Sequence, residues 1–135
     1  KLVLLVGGAH SFSANTMVAL AGALDAEQTN VGLEMSRALL SLSPRQRRLR
    51  AADVFGEIIR NKKDPVFLVN LEVLFDRDLQ QDPLRLLQSI SRNQFIVASW
   101  NGIVSSGRLL YAEPEHPEYR NYDSAGVQIV AMENV

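Results

Sequence analysis

Three short, wholly apolar runs punctuate the chain: Leu2–Val6, Val66–Val69 and Phe95–Ala98. Runs of this length without polar alternation predict strands buried on both faces, as in a parallel sheet. Between them, apolar residues recur at helical spacing. Ser13 to Leu24 carries Met17, Leu20, Ala21 and Leu24 on one predicted face, and Ala51 to Asn61 carries Val54, Phe55, Ile58 and Ile59. Asp82-Pro83 is a helix start, with Asp as N-cap and Pro in the first turn, ahead of Leu84, Leu86, Leu87 and Ile90.

The remaining segments carry weaker signals. Thr29–Leu33 predicts a short second strand, and Glu34 to Leu42 a helix stopped by Ser43-Pro44. Pro44 to Arg50 has no apolar stripe and predicts a basic, solvated connector. Ser105 to Ser124, rich in Gly, Pro, Tyr and Glu, predicts a loop that could carry a short hairpin, and Val127–Met132 a last strand. Alternating strands and helices predict an α/β fold: one three-layer domain over residues 1–135 with a mainly parallel sheet. Leu2–Val6, Val66–Val69 and Phe95–Ala98 should be adjacent and parallel, with Ser13–Leu24 packed across them.

The step from the first strand into the first helix has the layout of a phosphate-binding loop, G-x-x-x-x-G-K-[ST]. Counting from Gly7, which Gly8 follows, the second glycine position holds Phe12, the lysine position Ser13 and the hydroxyl position Ala14. Sliding the register does not help, because no Lys or Arg occurs from Leu2 to Ser36. Phe12 is bulky where phosphate needs close backbone approach, Ser13 carries no charge and Ala14 offers Mg²⁺ no oxygen. What survives is the turn at Gly7-Gly8 and a helix start that Ser11, Ser13 or Thr16 could cap. A helix start attracts anions weakly. The plain alternative is a strand-to-helix turn with ordinary capping.

Two more positions belong to the same pattern. A nucleotide site of this kind takes a strand-end carboxylate for Mg²⁺. Here the strand Val66–Val69 ends in Asn70, and a neutral amide is a poor substitute on a hard cation. Glu72 stands two residues on, either as an acid for a catalytic water or simply exposed at the strand exit. Asn101, after Phe95–Trp100, is placed to sense a terminal phosphate, although Asn101-Gly102 also fits a plain turn.

Composition narrows the setting. The net charge of -1 gives no global attraction to nucleic acid or anionic lipid. No apolar run approaches the roughly 20 residues that span a bilayer, so no membrane partner is expected. The absence of cysteine fits a reducing compartment and excludes disulfides and thiolate metal sites. No secretory leader is visible, and the chain passes from Lys1 straight into a strand, which predicts a further segment ahead of it. Arg45, Arg47, Arg48 and Arg50 form the strongest local charge feature, a candidate contact for DNA or an acidic partner. In a solvated connector, reversing Arg47 and Arg48 to Glu should leave the fold intact. His10 and His116 have no nucleophile or carboxylate beside them by motif.

Five further runs are distinctive: Asn70 to Asp76, Asp82 to Gln88, Ser91-Arg92-Asn93, Trp100-Asn101-Gly102 and, above all, Tyr111-Ala112-Glu113-Pro114-Glu115-His116-Pro117-Glu118-Tyr119. Together with Gly32 to Ser36 and Pro44 to Arg47, they resemble the small P-loop-containing protein of type 3 bacteriophage-exclusion (BREX) systems over nearly the whole chain. The resemblance implies a P-loop NTPase-like fold, ATP and Mg²⁺ as cofactors, a bacterial cytoplasmic setting and other phage-defence proteins as partners. Gly7 matches that family's loop, whereas Phe12, Ser13, Ala14 and Asn70 depart from it. Three readings stay open: an interaction module with a degraded nucleotide site, an ATPase completed by partner proteins, and a nucleic-acid-contacting adaptor.

Overall fold

The computed structural model describes residues 1–7 and 10–131. In chain order it runs β1 (Leu2–Val6), α1 (His10–Ala23), β2 (Gln28–Asn30), α2 (Val31–Leu39), α3 (Pro44–Arg60) and β3 (Val66–Val69). Two 3₁₀ turns follow, Leu71–Phe75 and Arg77–Leu79, and then α4 (Pro83–Ile90) and β4 (Ile96–Trp100). The chain ends with β5 (Gly102–Ser105), β6 (Arg108–Tyr111), β7 (Arg120–Asp123) and β8 (Gln128–Ala131).

Five strands form one sheet in the order β2-β3-β4-β1-β8, every neighbouring pair parallel. The three apolar runs therefore lie side by side as the sequence predicts, with Leu4 beside Ala98 and Leu68 beside the same Ala98. Alternation along the strands splits the core. Leu5, Phe67 and Val97 face α1 and meet Met17 and Ala21. Leu4, Val6, Leu68, Ile96 and Ala98 face the opposite way, onto Met35 of α2, Phe55 and Ile59 of α3 and Leu87 of α4. The layers are thus helix, sheet and helices.

Several boundaries differ from the sequence reading. α1 begins at His10 rather than Ser13, and its buried stripe is narrower, because Leu20 and Leu24 are exposed. The second strand stops at Asn30, whose side chain accepts a hydrogen bond from the Leu33 amide (3.0 Å) and starts α2 there instead of at Glu34. Pro44 to Arg50 is not a connector but the first two turns of α3. Ser43 and Gln46 form a reciprocal capping box, and Pro44 occupies the first helical turn. That local chemistry nucleates a helix before any apolar stripe begins.

The largest difference lies in Ser105 to Ser124, where the expected hairpin is extended by a third strand and only residues 112–119 form a loop. β5, β6 and β7 form a three-stranded antiparallel sheet, tightened by Ser106-Gly107, both at positive φ. Positive φ at both central residues suits the right-handed twist of paired strands. Leu109 and Tyr111 point inward and join the larger core. Asn101-Gly102 is likewise not a closing turn. Asn101 is the single residue between β4 and β5, so the chain passes directly from one sheet into the other.

Candidate functional site

In a parallel sheet every strand ends on the same edge, and ligands favour that edge where successive connections diverge to opposite faces. Here β1 leads into α1 on one face. Its neighbour β4 leads into the antiparallel sheet, which packs on the other face. By that rule the position to consider is the strand-end edge between Gly7 and Asn101. Gly7 has φ 86, a conformation that strains other residues and that lets the chain turn sharply out of the sheet.

The strand ends lining this edge are amides. β2 ends in Asn30, β3 runs into Asn70 and β4 into Asn101. Asn70 sits in the left-handed region at φ 58 and ψ 58 and makes no cap hydrogen bond. Its backbone packs close to Gly32, where an added Cβ would lie 3.3 Å from the Asn70 carbonyl oxygen. Asn tolerates the left-handed conformation better than most residues, so the type of residue at this exit is set partly by backbone geometry. Asn101 is exposed. Among the described residues no group of three or more His, Cys, Asp or Glu is placed to hold a metal ion. Among the described residues this edge offers neutral donors and acceptors at β2, β3 and β4 and no strand-end carboxylate.

Glu72 is not simply exposed at the strand exit. It is half-buried in the first turn of the 3₁₀ segment and lies close enough to Tyr111 to act on its hydroxyl. Burial first, and then the negative charges of Glu72 and Glu118, push the Tyr111 hydroxyl up to about 12. Tyr111 belongs to an aromatic cluster that sequence reasoning missed. It stacks on Phe75 with centroids 3.6 Å apart, while Trp100 meets Phe75 edge-on at 5.2 Å. The Trp100 indole N–H donates to the Leu110 carbonyl at 3.0 Å. The hydroxyl of Tyr122 donates to Asp82 at 2.9 Å, and burial with this bond pushes the Tyr122 hydroxyl well above its ordinary range. These contacts fix the antiparallel sheet beside the strand ends. Their sequence signal is faint, since the four rings come from separate segments.

The basic residues do not gather into one patch. Arg47 donates to the carbonyls of Leu39 and Leu40 at 3.0 and 3.3 Å and so caps the C-terminal end of α2. Arg48 is half-buried, and its carbonyl accepts from Gln81 at 3.2 Å. Arg45 and Arg50 are exposed, and on a helix five residues apart they project about 140° from one another. Reversal of Arg47 is therefore not neutral to the fold. His116 is used in a turn, where its Nδ1 accepts from the Glu118 amide at 3.0 Å. Gly8 and the side chains of His10, Ser11, Phe12, Ser13 and Ala14 lie outside the described residues, so the loop's own chemistry rests on sequence.

Comparison with protein families, with curated proteins and with solved structures finds no match. Among the described residues no helix is long and apolar enough to cross a membrane.

Proposed function

We propose that this chain is an interaction module built on a P-loop NTPase-like scaffold whose nucleotide site has lost its hydrolytic chemistry, and that it serves within a phage-defence (BREX) assembly. The observation that carries the loss of chemistry is Asn70. The strand that would deliver a metal-binding carboxylate to the edge delivers an amide instead, and the next acid, Glu72, lies two residues further on in the 3₁₀ turn, on the side of Tyr111. Support for the scaffold comes from β1, Gly7 and α1 in sequence, and from β4 between β1 and β3, whose register brings Asn101 level with Gly7. The defence setting rests on the resemblance of the Tyr111–Tyr119 run and its companions.

Support for a partner comes from α1. It has no Asp, Glu, Lys or Arg along its length, and Val18 on its outer side is 58% exposed. Val18 and Leu20 leave apolar surface in water on the Met17–Ala23 half of the helix, the kind of surface a partner covers. The test is calorimetric titration of the purified chain with Mg-ATP, together with a phosphate-release assay. The expected result is no micromolar affinity and no turnover above background. Micromolar binding with turnover would replace this reading with that of a working ATPase.

A further inference from the structure

Asn101 and Gly102 form the one Asn-Gly pair in the chain. The side-chain amide of an asparagine is open to attack by the backbone nitrogen of the next residue, and glycine, with no side chain, leaves that nitrogen unshielded. Asn30 and Asn121 have their side chains held: Asn30 accepts from the Leu33 amide at 3.0 Å, and Asn121 meets Arg108 at 2.7 Å and the Tyr119 hydroxyl at 3.1 Å. Asn101 is exposed, and its side chain makes no hydrogen bond among the described residues.

The attacking nitrogen lies outside the β5–β6 ladder. Ser105 and Arg108 close a two-residue turn as a hydrogen-bonded pair, so alternation makes Ile103–Leu110 the next bonded pair and Gly102–Tyr111 a non-bonded one. The N–H of Gly102 therefore points away from β6, and Gly102 is only half-buried. Asn101 itself belongs to neither strand. The glycine is obligatory, because a Cβ there would lie 1.9 Å from the Leu110 carbonyl oxygen. The fold thus keeps a glycine after position 101, while nothing in the packing of the described residues calls for asparagine before it.

We infer that Asn101 is a site of spontaneous deamidation, which turns the neutral end of β4 into a carboxylate. The deprotonated Gly102 nitrogen attacks Asn101 Cγ. The new C–N bond closes a succinimide ring, and the side-chain nitrogen leaves as ammonia. Water then adds to one of the two imide carbonyls and breaks the C–N bond there, so one water is consumed for each ammonia released. Opening at the side-chain carbonyl gives aspartate. Opening at the backbone carbonyl gives isoaspartate, in which the chain runs through the side-chain carbon. Either product adds a negative charge at the strand-end edge, level with Gly7, and a carboxylate there repels anions. Isoaspartate also lengthens the link between the two sheets, next to Trp100 and its hydrogen bond to Leu110.

The test ages the purified, folded protein at neutral and mildly alkaline pH, beside the same chain unfolded in urea, and maps peptides by mass spectrometry over time. The peptide spanning Asn101 should gain the mass of an NH₂-to-OH exchange and split into two chromatographic forms, one of which accepts a methyl group from an isoaspartate methyltransferase. Its rate should rise in proportion to hydroxide concentration, since the nucleophile is the deprotonated amide. Peptides spanning Asn30, Asn70 and Asn121 should stay unchanged over the same period. Asn101→Gln should abolish the change, because the longer side chain closes its ring far less readily, and should leave the fold intact by thermal unfolding. The inference is overturned if the folded protein keeps Asn101 while the unfolded chain loses it, because the fold then shields the pair. It is equally overturned if the other asparagines change as fast, or if the mass gain persists in Asn101→Gln.

Discussion

Phe75 and Tyr111 stack almost parallel, ring centroids 3.6 Å apart and planes inclined by 13°. Phe75 ends the 3₁₀ turn that leaves β3, and Tyr111 ends β6, so this contact ties the antiparallel sheet to the parallel one. Phe75 is 2% exposed, and Trp100 closes on it edge-first. Removing the ring deletes a large buried surface and leaves a cavity between the sheets. Phe75→Ala should cost about 3–5 kcal/mol in urea unfolding. A loss below about 1 kcal/mol would show that the two sheets are held together by other means.

The same tyrosine predicts a pH dependence. In the unfolded chain its hydroxyl ionises near the ordinary value of 10.0, and in the folded protein at about 12. Folding therefore favours the neutral form. The resulting stability is fully present below pH 10 and is lost as pH rises from there through the folded value. Tyr122, buried and bonded to Asp82, shifts in the same direction. The melting temperature should fall between pH 10 and 12, and Tyr111→Phe, which keeps the ring and removes the titrating group, should flatten that fall. An equally steep fall in the variant would assign the alkaline transition elsewhere.

Gly102 is fixed by its neighbour across the hairpin. A Cβ there would lie 1.9 Å from the Leu110 carbonyl oxygen and 2.9 Å from the Trp100 indole nitrogen. The clash falls on backbone, so it cannot be relieved by a rotamer change. Gly102→Ala should cost on the order of 3 kcal/mol and break the Trp100–Leu110 hydrogen bond. Tryptophan indole N–H exchange reports the bond directly, and wild-type protection in the variant would contradict the packing described.

Arg47 and its neighbours in α3 should separate cleanly. Arg47→Glu replaces a donor with a carboxylate facing the Leu39 and Leu40 carbonyls at the negative end of α2. A loss of about 1–3 kcal/mol is expected, against changes within about 0.5 kcal/mol for Arg45→Glu or Arg50→Glu, which touch nothing of this kind. Equal effects at all three positions in thermal unfolding would remove the capping role.

How legible the molecule was follows from where its information lies. The parallel sheet was legible because Leu2–Val6, Val66–Val69 and Phe95–Ala98 are apolar enough to be strands in any context. The start of α3 was missed because Arg45 to Arg50 has no stripe, although Ser43-Pro44 and Gln46 carry a capping signal that outweighs periodicity. Of the antiparallel sheet only a short hairpin was legible, because its strands are four residues long with exposed outer faces, and because only Leu109 and Tyr111 are deeply buried among them. At the candidate site, the missing lysine and carboxylate were plain in the sequence. That Asn30, Asn70 and Asn101 all mark one edge follows only from strand order, and the proximity of Glu72 to Tyr111 only from the fold of the second sheet.

Asn70 gives the sharpest test of the proposed loss of chemistry. Its left-handed backbone is one that Asp also tolerates, so Asn70→Asp should leave stability within about 0.5 kcal/mol of wild type. It restores a carboxylate at the strand end but no cation in the loop. A charge-assisted contact to phosphate is worth about 1.5–3 kcal/mol, so the missing lysine alone weakens nucleotide binding by roughly ten- to a hundredfold. Asn70→Asp alone should therefore give no Mg-ATP turnover. Adding Phe12→Gly, Ser13→Lys and Ala14→Thr opens the loop, supplies the charge and provides the metal its hydroxyl ligand. Measurable Mg-ATP affinity should appear only in this fourfold variant. Turnover in the single variant, or in the unaltered chain, would mean that the loop's missing groups are supplied from elsewhere in the protein, and the site would have to be read as active.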